Sequence, residues 1–274
     1  MGLEQIFNTL ITGRNVAIVG PAEYVCKELA ADHGVFIDGH DVVIRLNEFF
    51  YCPEELEQFY GKKTNILSSS FWHRLNNDYP DPNGSWENLR YCIEEEYNRL
   101  PDGIWLLECY ARNEFGEIYR RCGNTIRRKK LKYLNLTPEL YLSVCKILCD
   151  ICPLSKTPTT GLATIALVLL CRPKKLYVTG FTAYQENPWA THFGGYSRSP
   201  DPSQGRSPDP SQGWPKGFNG KTYNDSDGVE YAGAHHCFQN EAFILNFLVQ
   251  TAQIEVDRFM RVLFESLNQR LLAK

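Results

Sequence analysis

The chain has 274 residues, of which 43% are hydrophobic and 13% aromatic, enough to bury one sizeable core and to form a single domain spanning 1–274. Its formal net charge is -3 and its pI is near 6.1, so it has no excess of positive charge with which to neutralise a nucleic-acid backbone, and nucleic acid is not an expected partner. The first twenty residues lack a basic stretch followed by a long apolar run, and the longest apolar stretch, Leu162 to Cys171, falls short of the roughly 18 residues a membrane span requires. Position 6 is Ile6 rather than Ser or Thr, which leaves a myristoylation signal incomplete. These features predict a protein without a transmembrane segment, cytoplasmic or otherwise soluble.

In chain order, Asn15 to Gly20 is a β-branched apolar run stopped by Gly and Pro, and Glu23 to Asp32 has helical spacing that ends at His33 and Gly34. Further strands are expected at Asp41 to Leu46, Thr64 to Leu67 and Ile104 to Leu107. Helices follow at Leu136 to Cys149 and Gly161 to Leu170, then a strand at Lys175 to Thr179 that stops at Gly180. From His235 onward the pattern predicts two helices separated near Gln253. This alternation predicts an α/β fold with a single, mainly parallel sheet flanked by helices. In such sheets ligands collect at the carboxyl ends of the strands, which directs attention to the turns at Gly20, Asn47 and Gly180. The octapeptide RSPDPSQG occurs twice in tandem, Arg198 to Gly205 and Arg206 to Gly213, and marks a low-complexity loop at 197–215 that is too polar to bury.

Ten cysteines lie mostly in apolar settings, which favours reduced, buried thiols. Cys145, Cys149 and Cys152 have the spacing of an iron–sulfur motif, but the same spacing fits one face of a helix, and core cysteines are the expectation. Asp225 to Asp227 forms an Asp-x-Asp that a metal-dependent transferase would use; its polar surroundings predict a solvated turn and no metal.

Several short segments carry chemistry. A glycine at a strand end followed by a helix, as in GPAEYV from Gly20, lets an anion approach the backbone. PTTGL places the Thr159 and Thr160 hydroxyls and the Gly161 amide at the start of an apolar helix, where they form either an anion cradle or, for Thr159, a plain helix cap. His236 precedes Glu241 by five residues, about 140° out of phase on an ideal helix, so a direct pair within one helix is not expected.

In this order, IDGHDVVIRLNE at Ile37 to Glu48, PTTGL…VTGF at Pro158 to Phe181, THFGGY at Thr191 to Tyr196 and His-x-x-x-x-Glu at His236 to Glu241 resemble the motifs of the family 29, eukaryotic-type sialyltransferases. The resemblance covers residues 15 to 250. It implies a variant GT-A, Rossmann-like fold and inverting, metal-independent transfer of a sugar from a CMP donor to a hydroxyl of a glycan or glycolipid acceptor, with no cofactor. Carried over, His236 is the general base and His192 a phosphate contact. Asn47, Thr159, Thr160 and Gly161 would hold the CMP donor together with Gly20, Pro21 and Gly180; Glu241, Arg45 and Tyr196 would support the site. Two positions depart from the family pattern. Pro21 replaces an Asn that contacts the nucleotide, and Val16 stands where animal members carry a bridged cysteine. The departures leave open whether the donor is CMP-sialic acid or CMP-Kdo, and leave a non-catalytic CMP- or glycan-binding protein as a reading of another class.

Overall fold

The computed structural model describes residues 3–22, 24–46, 56–69, 97–98, 100–110, 115–182 and 238–272. Seven strands form one sheet: β1 (Asn15–Val19), β2 (Val42–Leu46), β3 (Ile66–Ser69), β4 (Trp105–Glu108), β5 (Lys132–Asn135), β6 (Lys175–Thr179) and β7 (Glu255–Val256). Their order is β5-β4-β3-β2-β1-β6-β7 and every pairing is parallel. Nine helices are described: α1 (Leu3–Ile11), α2 (Tyr24–Glu28), α3 (His33–Asp38), α4 (Glu57–Tyr60), α5 (Phe115–Arg128), α6 (Pro138–Ile151), α7 (Thr160–Leu170), α8 (Phe238–Gln250) and α9 (Arg258–Leu272). The chain is thus an α/β protein of Rossmann-like type, with one all-parallel sheet flanked by helices.

Central strands read as unbroken apolar runs because both of their faces are covered. Val16 to Val19 of β1 are all buried, and so is the whole of β2, including Arg45. The main core gathers β1, β2 and β6 with α1, α7, α8 and α9; a second, smaller one joins Leu106 of β4 to Ile126 of α5 and to Tyr97 and Leu100.

Helix α7, TGLATIALVLL, is buried from Thr160 to Val168, which explains why it is apolar around its whole circumference rather than along one stripe. Among the described residues no helix is long and apolar enough to cross a membrane.

The helix predicted over Glu23 to Asp32 is shorter than its pattern suggests. α2 ends at Glu28, and a separate α3 begins at His33. Gly34 therefore lies inside a helix instead of stopping one. A Cβ there would stand 2.1 Å from the carbonyl oxygen of Glu57, so the glycine serves the close approach of α3 to α4.

Strands β3 and β4 are displaced toward the C-terminus of their predicted ranges, because the buried polar residues Ser68, Ser69 and Glu108 continue the pairing beyond the apolar runs. Strands β5 and β7, and helices α1 and α5, add to the predicted elements.

The topology places the reversal of strand order at β1. From β1 the chain steps outward through β2 to β5, then crosses to β6 and β7 on the other side. The crevice between the carboxyl ends of β1 and β6 is the switch point of the sheet.

Candidate functional site at the carboxyl edge

At the switch point, the turn after β1 and the turn after β6 touch backbone to backbone. The Gly20 amide donates to the Thr179 carbonyl (2.8 Å) and the Ala22 amide to the Gly180 carbonyl (3.2 Å). A Cβ on Gly20 would stand 2.3 Å from the Gly180 oxygen, and one on Gly180, whose φ is +79°, would stand 2.2 Å from the Gly20 oxygen. Both glycines, expected at the donor, thus have a packing reason of their own. Pro21 sits half-exposed beyond this contact.

A buried polar network closes the same place. The Tyr24 hydroxyl of α2 donates to Asp257 Oδ2 (2.6 Å) and accepts the Gly180 amide (2.7 Å), while the Thr179 hydroxyl donates to the same Asp257 oxygen (2.7 Å). Asp257 Oδ1 accepts the Met260 amide (2.9 Å), which makes Asp257 the N-terminal cap of α9. The Phe259 ring stacks on Tyr24 at 4.1 Å. Burial, with the Asp257 charge second, holds the Tyr24 phenol well above its ordinary range, so it acts as a hydrogen-bonding group and not as an acid.

Thr159, Thr160 and Gly161 lie at the start of α7, at the carboxyl edge. Thr159 caps the helix: its backbone is extended (φ -62°, ψ 157°) and its hydroxyl oxygen accepts the Leu162 amide at 3.4 Å. The same residue is held by Glu241, in the first turn of α8. Thr159 donates its amide to Glu241 Oε1 (3.1 Å) and its hydroxyl to Oε2 (2.6 Å). A carboxylate of this chain therefore occupies the amide and hydroxyl of Thr159 that the anion-cradle reading assigned to a donor. Burial raises the Glu241 carboxyl to about 7, against the smaller opposing pull of the two Thr159 bonds.

On the other flank the Tyr110 hydroxyl, just past β4, donates to the Pro158 carbonyl (2.9 Å) and lies 3.4 Å from Thr160 Oγ1. The Thr160 carbonyl in turn accepts the Thr164 hydroxyl (2.7 Å), which stands 2.7 Å from Ser68 Oγ of β3. Pro158 to Thr160 is thereby fixed to three separate parts of the fold. Gly161 is small for a local reason: a Cβ there would stand 2.4 Å from the Phe181 ring, and Leu46 lies beside it.

Arg45 is buried on β2. Its Nε donates to Thr64 Oγ1 (2.9 Å) and the Lys63 carbonyl (3.2 Å), and its Nη2 to the Gly61 and Tyr60 carbonyls (2.7 and 3.0 Å). These contacts pin the chain that enters β3, so Arg45 has a structural task. Asn47, His192, Tyr196, His236, the Asp225–Asp227 segment and the tandem repeat lie outside the described residues.

The expectation of a core face for the cysteines of α6 is corrected. Cys149 is exposed, and Cys145 and Cys152 are half-buried, because the buried face of that helix is built by Val144 and Leu148. Cys109 and Cys171 are buried. Among the described residues no three His, Cys, Asp or Glu side chains group as metal ligands.

Sequence reasoning did not single out Tyr24, Tyr110 or Asp257. For Asp257 a signal was available: an Asp three residues before Met260, at the start of an apolar-periodic run, has the pattern of a helix cap. Compared with known proteins, the chain matches no protein-family model and no curated protein.

Proposed function

We propose that the protein is an inverting, metal-independent glycosyltransferase that moves a sialic-acid-type sugar from a CMP donor to a hydroxyl of a glycan or glycolipid acceptor. The observation that supports this reading is the Thr159–Glu241 contact. It joins, across 82 positions, the two segments whose sequences resemble the small and very short sialyltransferase motifs, and it lies at the carboxyl edge, where α/β sheets bind their ligands.

In the proposed reaction the acceptor oxygen attacks the anomeric carbon on the face opposite the phosphate. The bond to the phosphate oxygen breaks, and its electron pair leaves with CMP. The acceptor proton passes to His236, whose sequence position is two residues before α8; a histidine with an ordinary pKa of ~6.5 accepts a proton at neutral pH. His192 would donate to the leaving phosphate, and stabilisation of that developing charge lowers the barrier more than binding the ground state does. Glu241 and Tyr110 would set the position of Pro158 to Gly161 against the donor.

CMP-Kdo is the alternative donor for the same chemistry. A second reading, a CMP- or glycan-binding protein without turnover, is favoured by Pro21, which stands where the sialyltransferases carry an Asn that contacts the nucleotide. The deciding experiment measures CMP release from CMP-sialic acid and CMP-Kdo, with a mixed panel of glycan acceptors and EDTA present. Acceptor-dependent release from either donor is the expected result. CMP binding without release from both would replace the transferase with the binder.

A further inference from the structure

The net charge of -3 conceals a group of cations at one edge of the sheet. The edge opposite the candidate site, where the strands begin, is lined by exposed cations: Arg14 before β1, Lys62 before β3, Lys130 and Lys132 at the entry of β5, and Arg172 and Lys174 before β6. The six cations outnumber the acids of this edge. Asp102 pairs with Lys129 and Glu255 with Lys175, while Asp38 and Asp41, which accept the amides of Lys62 and Lys63 and of Asn15, keep their charge.

Cations near helix carboxyl ends also complement helix dipoles, which gives Lys130 after α5 and Arg172 after α7 a local reason. Lys132 lies on β5, over the Trp105 ring at 5.0 Å, and Lys174 at the entry of β6, each beyond the last turn of the preceding helix. With strands about 4.8 Å apart, the cationic row from β5 to β6 runs roughly 25 Å along one side of a single sheet.

We propose that this edge docks on an anionic lipid bilayer. A row of exposed Lys and Arg along one edge offers several cations to a surface of acidic headgroups, and such cations are drawn to it additively. Single-stranded nucleic acid is the less fitting polyanion, because it also needs aromatic faces on which bases stack, and the aromatic residue in this row, Trp105, is half-buried beneath Lys132. Docked this way, the carboxyl edge with Thr159 and Glu241 faces away from the bilayer. The proposal does not depend on the transferase reading.

The test is co-sedimentation of the full chain with vesicles of phosphatidylcholine alone and with added phosphatidylserine. Binding to the anionic vesicles only, lost at high salt, is expected. Arg14→Gln, Lys132→Gln and Lys174→Gln combined should weaken it on the order of 100-fold, and the Glu versions of the same three should weaken it further. The salt titration of the unsubstituted protein reads the same contact without any variant. Equal affinity for both vesicles, undiminished binding by the Gln variant, or tighter binding to a single-stranded oligonucleotide than to anionic vesicles would overturn the proposal.

Discussion

Glu241 accepts both the amide and the hydroxyl of Thr159, at 3.1 and 2.6 Å, from a carboxylate that is itself buried. One side chain thereby closes the start of α7 against the start of α8.

Glu241→Ala strands two buried donors and leaves a cavity, for a loss of about 2–4 kcal/mol in urea unfolding at pH 7. Glu241→Gln retains an acceptor for the amide and should lose less than half as much. Equal losses for the two variants would mean that the pair of acceptor oxygens carries the effect and the side chain's volume does not.

The same residue sets a pH dependence. Its folded carboxyl is raised from 4.5 to about 7, so the folded state holds a proton that the unfolded state releases near 4.5. This contribution is fully present below pH ~4.5 and is lost as the pH rises through about 7, on the order of 3 kcal/mol in total. Subtracting the unfolding profile of Glu241→Gln from that of the parent protein between pH 4 and 8 isolates it. A difference that grows more favourable with rising pH would contradict the sign.

Gly20→Ala should cost more than Gly161→Ala. The new Cβ meets a backbone oxygen at 2.3 Å in the first case and a half-buried phenyl ring in the second, and a ring can shift where a paired strand end cannot. Overpacking of this kind costs about 1–3 kcal/mol for Gly161→Ala, and more for Gly20→Ala. Thermal melts of the two proteins give the order directly.

Tyr24 and Asp257 should be energetically coupled. Asp257→Ala leaves the Tyr24 and Thr179 hydroxyls and the Met260 amide without this acceptor, for about 3–5 kcal/mol, whereas Tyr24→Phe should cost about 1–3 kcal/mol. In a double-mutant cycle the pair should show a coupling of about 1–3 kcal/mol, and additive losses would remove the network from the stability of the fold.

For the proposed reaction, His236→Ala should abolish CMP release with CMP affinity nearly unchanged, while His192→Ala should weaken both. Transfer by His236→Ala at the parent rate would exclude it as the base. Release that stops on addition of EDTA would instead bring the Asp225–Asp227 segment into play as a metal site.

What the sequence made legible follows from how strongly each segment is patterned. β1, β6 and α7 were readable because NVAIV, KLYVT and TGLATIALVLL are buried nearly throughout and carry little polar interruption. β5 escaped because it is an edge strand whose first residue, Lys132, is exposed and whose last, Asn135, is only half-buried, and β7 because two residues have no period. Gly20, Gly161 and Gly180 stand out in the sequence as candidate donor contacts, and each has a protein neighbour that requires glycine: Gly20 and Gly180 face each other, and Gly161 faces Phe181. The partner of Glu241 was out of reach, since nothing local in PTTGL or HHCFQNEAF indicates that the two segments touch.

Tyr24 finds its acceptor 233 positions downstream, at Asp257. During synthesis, β1 through β5 can pair as they leave the ribosome, while the central strand β1 waits for β6 with one side uncovered. The Tyr24 hydroxyl and the Thr179 hydroxyl have their shared acceptor only once Asp257 has emerged, and Thr159 has its carboxylate only once Glu241 has. The carboxyl edge is therefore completed only when Glu241 and Asp257 arrive, so a nascent polypeptide stalled before that point carries most of its sheet and none of its finished site.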